Sequence, residues 1–307
     1  MNFNLVYNEI LVLFLIILVG FILRKNNQIS EDLNKGLSNL LINVTLPALI
    51  ITSMHIEIDS NVIANMKIIS LITIGIYIFT TFLGNILTRV LPIPVDKKNI
   101  FVFMIIFGNV GYMGYPVLGV LYPEYGIFYG LFNNIAFNIM LWTYGIYLFT
   151  STQGEKYKIK WKLLLNHGII AIIIGFFLLL TGIRLPGPVI GALDHLGEMT
   201  FPLSMLIIGS SLAAIRIRNI ITNKLVFFLT FIKILFVPGT VLLMLSFFEI
   251  PAIVANVSIL LTAMPCAANS VVFAEKFDRD HQFAAQGVFV STMLAAATIP
   301  LFLYLLS

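Results

Sequence analysis

Charge is what this sequence has least of. Asp, Glu, Lys and Arg make up 10 % of its 307 residues, against about 25 % in ordinary soluble domains. Long polar stretches are missing too. The longest, Ser151 to Lys162, is a dozen residues, which leaves no room for a soluble domain between apolar runs. There is one cysteine, Cys266, which excludes an intrachain disulfide and a cysteine metal cluster. No Walker A motif, HExxH or dinucleotide fingerprint occurs, which argues against ATP drive and zinc-protease chemistry. A serine–lysine or aspartyl intramembrane enzyme stays formally open, though no carboxylate pair at a useful spacing falls inside the apolar runs. The expectation is a protein without cofactor or metal that is not an enzyme.

What is abundant is apolar surface. Hydrophobic residues reach 59 %, and the mean hydropathy is +1.01. Those values belong to an all-α polytopic membrane protein rather than to a soluble core. Ten apolar segments run roughly over 5–23, 36–54, 67–90, 100–122, 126–149, 163–182, 188–213, 223–247, 251–274 and 282–306. Each is near the ~20 residues that a helix needs to cross a bilayer. The first has no basic residue ahead of it and Arg24-Lys25 after it, so it reads as a retained span and not a signal peptide.

Lys and Arg placement predicts orientation. Arg24, Lys25, Lys35, Arg89, Lys97, Lys98, Lys156, Lys158, Lys160, Lys162, Arg216, Arg218, Lys224, Lys276 and Arg279 fall on one side, fifteen of the eighteen basic residues. Only Lys67 and Arg184 fall on the other, and Lys233 lies within a span. The positive-inside rule then makes the odd-numbered loops cytoplasmic and puts both termini outside. The basic pI near 9.1 comes from these short loops. KYKIKWK, Lys156 to Lys162, reads as a topological signal meeting anionic lipid and not as a nucleic-acid site.

The fourth segment carries GNVGYMGYP, Gly108 to Pro116: three glycines, an asparagine and a proline in nine positions. Proline has no N–H and displaces the carbonyl four residues back, here that of Tyr112. A break inside hydrocarbon survives only where protein or a water-filled cavity satisfies the freed groups. Its counterpart is AMPCAANS, Ala263 to Ser270, in segment nine; TLP at Thr45 to Pro47 and TFP at Thr200 to Pro202 form a second pair. Five spans per half is an odd number, so the two halves, 1–150 and 163–307, are expected as inverted repeats with broken helices crossing near mid-plane. Gly111, Gly114, Pro116 and Pro265 are the expected crossover residues.

Several polar residues fall inside the segments. Asn109 precedes Pro116 by seven residues and Asn269 follows Pro265 by four; either amide can bind a carboxylate or cap a half-helix. Asn134 and Asn138 share a helical face and, with Asn43, are further candidates to line a pathway. Glu198 occupies the repeat position of Asn43 and is the candidate for proton coupling. Lys233 lies deep in segment eight, where its ammonium could snorkel to a vestibule or meet an anionic substrate.

NVTLPALI in span two, GNVGYMGYPVLG in span four, FNNIAFNIMLWTYG in span five, TFPLSMLIIGSSLA in span seven and AMPCAANSVVFAEKF in span nine together resemble the auxin efflux carrier family. Plant members carry a long hydrophilic loop between the halves, so the short one here resembles the compact bacterial branch. The resemblance implies a ten-span inverted-repeat secondary transporter moving small organic anions, such as carboxylates, by an elevator-like motion. It further implies a scaffold of spans 1, 2, 6 and 7 that forms a homodimer through spans 2 and 7. The moving part would be spans 3–5 and 8–10, with Asn109 as the amide ahead of the first crossover. A channel or solute receptor on the same scaffold, or a cation-coupled carrier of the bile-acid type, are the alternatives; the last usually places acidic residues at the crossover, where this sequence has none.

Overall fold

The computed structural model describes residues 3–57, 59–150, 166–215 and 223–306. The basic stretch Lys156 to Lys162 and both Arg216 and Arg218 lie outside them. In order, the helices are α1 (Phe3–Lys25), α2 (Glu31–Leu40), α3 (Leu46–Ser53), α4 (Ser60–Val90), α5 (Val95–Ile106), α6 (Tyr115–Leu121), α7 (Gly126–Met140) and α8 (Ile146–Thr150). The second half follows with α9 (His167–Thr181), α10 (Gly187–Glu198), α11 (Thr200–Ala214), α12 (Lys224–Phe231), α13 (Val237–Leu245), α14 (Ala252–Ala263), α15 (Asn269–Lys276) and α16 (His281–Leu306). Among the described residues the apolar segments are mostly helical. Among the described residues, five helical stretches are long and apolar enough to cross a membrane: Glu31–Ser53, Ser60–Val90, Gly187–Ala214, Lys224–Leu245 and His281–Leu306.

The prolines do less damage than their chemistry allows. Pro47, Pro116 and Pro238 each stand second in an α-helix that directly follows a π-helical turn: Leu41–Thr45, Val110–Gly114 and Ile232–Phe236. A proline leaves the carbonyl four residues back without its N–H donor, and a locally wider turn re-satisfies the backbone without ending the helix. A fourth such turn, Leu141–Gly145, joins α7 to α8 with no proline.

The chain forms two compact units. One gathers α1, α2, α3, α6, the part of α7 up to Leu131, α9, α10 and α11. Its most extensive helix pair is α1 with α11, and glycine makes that approach possible. A Cβ on Gly209 would fall on Ile17 O and lie 2.8 Å from Phe21 N; one on Gly20 would fall on Leu206 O. The backbones are therefore in direct contact, as small residues allow between helices that have no hydrophobic drive to associate. In the same unit α3 packs on α9 and on α10.

The other unit gathers α4 from Asn65, α5, α7 from Phe132, α8 and α12 to α16. Its core is aromatic. Phe103 meets Phe107, Phe149 and Phe273 at ring separations of 4.5, 5.2 and 5.7 Å, and Phe107 meets Phe137 edge-on at 5.3 Å. These rings clamp the C-terminal end of α5. On α4, Leu71, Ile74, Ile78 and Phe82 form a stripe at helical spacing, each more than half exposed. Such a stripe is a poor face for water and a good one for acyl chains.

Candidate functional site: a crossed pair of helix breaks

Among the described residues, two of the apolar segments leave the helix for extended backbone, and the two breaks pair with each other. α5 ends at Ile106, and Phe107 is extended with φ −96° and ψ 115°. α14 ends at Ala263, and Met264 is extended with φ −62° and ψ 142°. Between them Gly108 and Cys266 form an antiparallel bridge. Asn109 N–H donates to Pro265 O at 2.8 Å, and Ala267 N–H donates to Phe107 O at 3.0 Å. Two backbones freed from their helices thus satisfy each other.

The pairing is reciprocal. Exchanging Phe107, Gly108 and Asn109 for Pro265, Cys266 and Ala267 maps one hydrogen bond onto the other. The partner of Asn109 under that exchange is Ala267, while Asn269 stands two residues later as the first residue of α15. The break in the fourth segment also lies earlier than its composition indicates. Gly111 and Gly114 belong to the π-helical turn after it, and Pro116 is buried in the first turn of α6. Pro265 is at its break, buried between Met264 and Cys266.

Further groups hold the crossing. With the two bonds above, Gly108 and Cys266 face each other where neither N–H points at the other strand. Cys266 N–H instead donates to Ser291 Oγ of α16 at 3.1 Å, and Ser291 Oγ donates to Val288 O at 3.2 Å. Lys233, in the π-helical turn ahead of α13, is 2 % exposed and its Nζ donates to Ile105 O, in the last turn of α5, at 3.2 Å. A Cβ on Gly108 would lie 3.3 Å from that Nζ and 3.5 Å from Leu261 O. Ser291 carried no signal in the sequence: it is one hydroxyl in a long apolar helix. Lys233 was conspicuous by its depth, but a partner 128 residues away in the chain was not.

The crossing brings three helix ends of this unit together. The C-terminal ends of α5 and α14 present carbonyls and partial negative charge; the start of α15 presents partial positive charge. Asn109 is buried, and Asn269 is half-buried at the start of α15. A cleft of about 10 Å³ beside the crossing is lined by Tyr77, Thr80, Gly108, Asn133, Lys233 and Thr262, among others. That is room for about one water, so the crossing is closed in this conformation.

The remaining candidates sit elsewhere. Asn138 Nδ2 donates to Asn134 Oδ1 at 2.6 Å and to Asn134 O at 2.9 Å, so these two amides serve each other along α7. Asn133, beside them, accepts from Tyr77 OH at 3.4 Å and lines the cleft. Asn43 is exposed in the turn Leu41–Thr45, and Glu198 is exposed at the end of α10. Both belong to the first unit and not to the one that carries the crossing. Among the described residues no group of three or more His, Cys, Asp and Glu side chains could hold a metal ion.

The comparisons with known proteins agree with one another. Residues 5–303 match the family model described as membrane transport protein. An uncharacterized transporter of Methanocaldococcus jannaschii is 22 % identical over 307 residues, covering 97 % of both chains. One of Methanothermobacter thermautotrophicus is 23 % identical over 293 residues, covering 95 % of both. One of Escherichia coli K12 is 22 % identical over 311 residues, covering 96 % of both.

Proposed function

The chain belongs to the membrane transport protein family, the auxin efflux carrier-like group, and on that premise we propose that it is a secondary active carrier for a small organic anion such as a carboxylate. The observation that carries this reading is the crossed pair of breaks. It gathers the start of α15 and the amides of Asn109 and Asn269 within one compact apolar unit. N–H groups at helix starts suit a carboxylate, and an amide can both donate to it and accept from a neighbouring hydroxyl or N–H. Asn109 is the first contact, Asn269 the second, and Lys233 contributes charge from behind the crossing.

Two further features support ten spans in inverted halves. The reciprocal hydrogen bonding of Phe107–Asn109 with Pro265–Ala267 is compatible with a two-fold axis passing between Gly108 and Cys266. In the first unit, span one packs on span seven and span two on span six, pairings that exchange with each other under such an axis. We take α1–α3 and α9–α11 as the scaffold, dimerising through spans 2 and 7, and the unit carrying the crossing as the moving body of an elevator. Both termini face outward in this arrangement, since the basic loops then lie in the cytoplasm.

The test is solute exchange. A panel of carboxylates is screened for thermal stabilisation of the purified protein, since a ligand that binds only the folded state must raise its stability. The best acid is then followed in proteoliposomes. A carrier shows saturable uptake and counterflow driven by the same acid inside. Flux that neither saturates nor shows counterflow would make the protein a channel, and a panel without any stabilising acid would count against an anion as substrate.

A further inference from the structure

Two helices that finish side by side inside an apolar unit favour positive charge next to their last carbonyls. α5 and α14 both finish there, and the last four carbonyls of a helix have no partner within it. The partial negative charges of the two ends add, in surroundings that screen them poorly. In carriers built on discontinuous helices, freed carbonyls and half-helix C-terminal ends of this kind hold a bound Na⁺ or a proton.

In this protein a side chain already stands there. Lys233 Nζ donates to Ile105 O of α5 at 3.2 Å, and a Cβ on Gly108 would be 3.3 Å from Nζ and 3.5 Å from Leu261 O of α14. The ammonium is thus bonded to a carbonyl of one finishing helix, and Leu261 of the other lines the same cleft. No Asp or Glu lines the adjoining cleft, and among the described residues Lys233 makes no ion pair. The cleft itself, at about 10 Å³, has room for about one water and none for a hydrated ion beside the ammonium. The π-helical turn Ile232–Phe236, placed just ahead of Val237-Pro238, is the local device that carries Lys233.

We propose that Lys233 is a built-in counter-cation: its ammonium takes the place that Na⁺ would occupy at the crossing, so that the protein needs no coupling cation there. What this says about coupling rests on the carrier reading; what it says about the site does not, and the experiment keeps the two apart. Thermal unfolding of the purified full-length protein is measured in choline chloride, NaCl and KCl at equal ionic strength. Wild type is expected to melt at the same temperature in all three. Lys233→Ala should melt lower in choline and rise saturably with NaCl, because Na⁺ can enter the space left at the carbonyls and binding to the folded state adds stability. Lys233→Arg, which keeps the charge, should be insensitive to the cation.

Saturable stabilisation of wild type by Na⁺ would overturn the proposal, as would a Lys233→Ala protein equally weakened in all three salts, whose lysine is then packing alone. If the alanine variant yields no folded protein, the wild-type comparison and Lys233→Arg still decide: either one responding saturably to Na⁺ refutes the idea. Carboxylate counterflow in Na⁺-free proteoliposomes adds the coupling arm. Counterflow that requires Na⁺ would contradict cation independence. Absence of counterflow with every cation would remove the carrier reading and leave the stability result standing.

Discussion

Ser291 offers the sharpest test of how the crossing is held. Its hydroxyl accepts the N–H of Cys266 at 3.1 Å, a group that the Gly108–Cys266 bridge turns away from the opposite strand. Cys266 is fully buried and Ser291 equally so, so bulk water does not reach the pair. Ser291→Ala removes one oxygen and leaves a small gap, and the main loss is the buried N–H without an acceptor. A buried donor left unsatisfied costs about 1–3 kcal/mol. Val288 O loses a donor as well, but as a helical carbonyl it keeps its backbone partner, which adds little. Equilibrium unfolding in mixed micelles should therefore show Ser291→Ala less stable by roughly 1–3 kcal/mol, with Ser291→Thr recovering most of the loss. The control is Ser246→Ala: that hydroxyl donates to Leu243 O at 2.8 Å but is exposed, and its removal should stay within about 0.5 kcal/mol. A Ser291→Ala protein as stable as this control would refute the idea that the bridge depends on α16.

Two other perturbations test the packing that frames the site. Gly209→Val should push α1 from α11, because even a Cβ there would fall on Ile17 O; overpacking of this kind costs about 1–3 kcal/mol or more, read as loss of the monodisperse peak in detergent size-exclusion chromatography. Gly191→Ala is its contrast: nothing lies within 4 Å of its Cβ position in α10, and the helix should gain up to about 1 kcal/mol. Arg279 Nη2 donates to Phe149 O at 3.1 Å, while Asn99 Nδ2 donates to Leu148 O at 2.6 Å, both on α8. Arg279→Ala should cost about 1–3 kcal/mol, as loss of a charged donor does, and an unfolding midpoint unchanged from wild type would show that contact to be incidental.

Much of the fold could be read from the sequence because it is written in hydrophobic run length. Among the described residues the apolar segments are mostly helical, and the polar, glycine-rich composition of Gly108 to Pro116 marked the right region for a break. Where the break falls was not legible. Proline chemistry pointed to Pro116, yet a π-helical turn absorbs the missing N–H there, and the chain leaves the helix at Phe107, next to a glycine that accepts close approach. Pro265 meets the chain just after α5 and not Pro116, because this contact is set by backbone hydrogen bonds and not by matching residue types. Lys233 stood out as a charge in an apolar run, whereas its carbonyl partner on α5 depends on tertiary packing that no local pattern encodes. Gly20 and Gly209 look like any other small residues in a membrane helix until the backbones they admit are seen.

The most direct measurement is counterflow of the best-stabilising acid by wild type and by Asn109→Ala, reconstituted at equal amounts of folded protein. Asn109 is buried at the crossing with its backbone N–H already given to Pro265 O, so truncating its side chain leaves the pairing intact and removes the amide alone. Loss of a hydrogen bond to a charged partner is worth about 1.5–3 kcal/mol, which predicts exchange slowed by roughly ten- to a hundred-fold with saturable wild-type transport. Exchange by Asn109→Ala at the wild-type rate would contradict recognition of the anion at the crossed breaks.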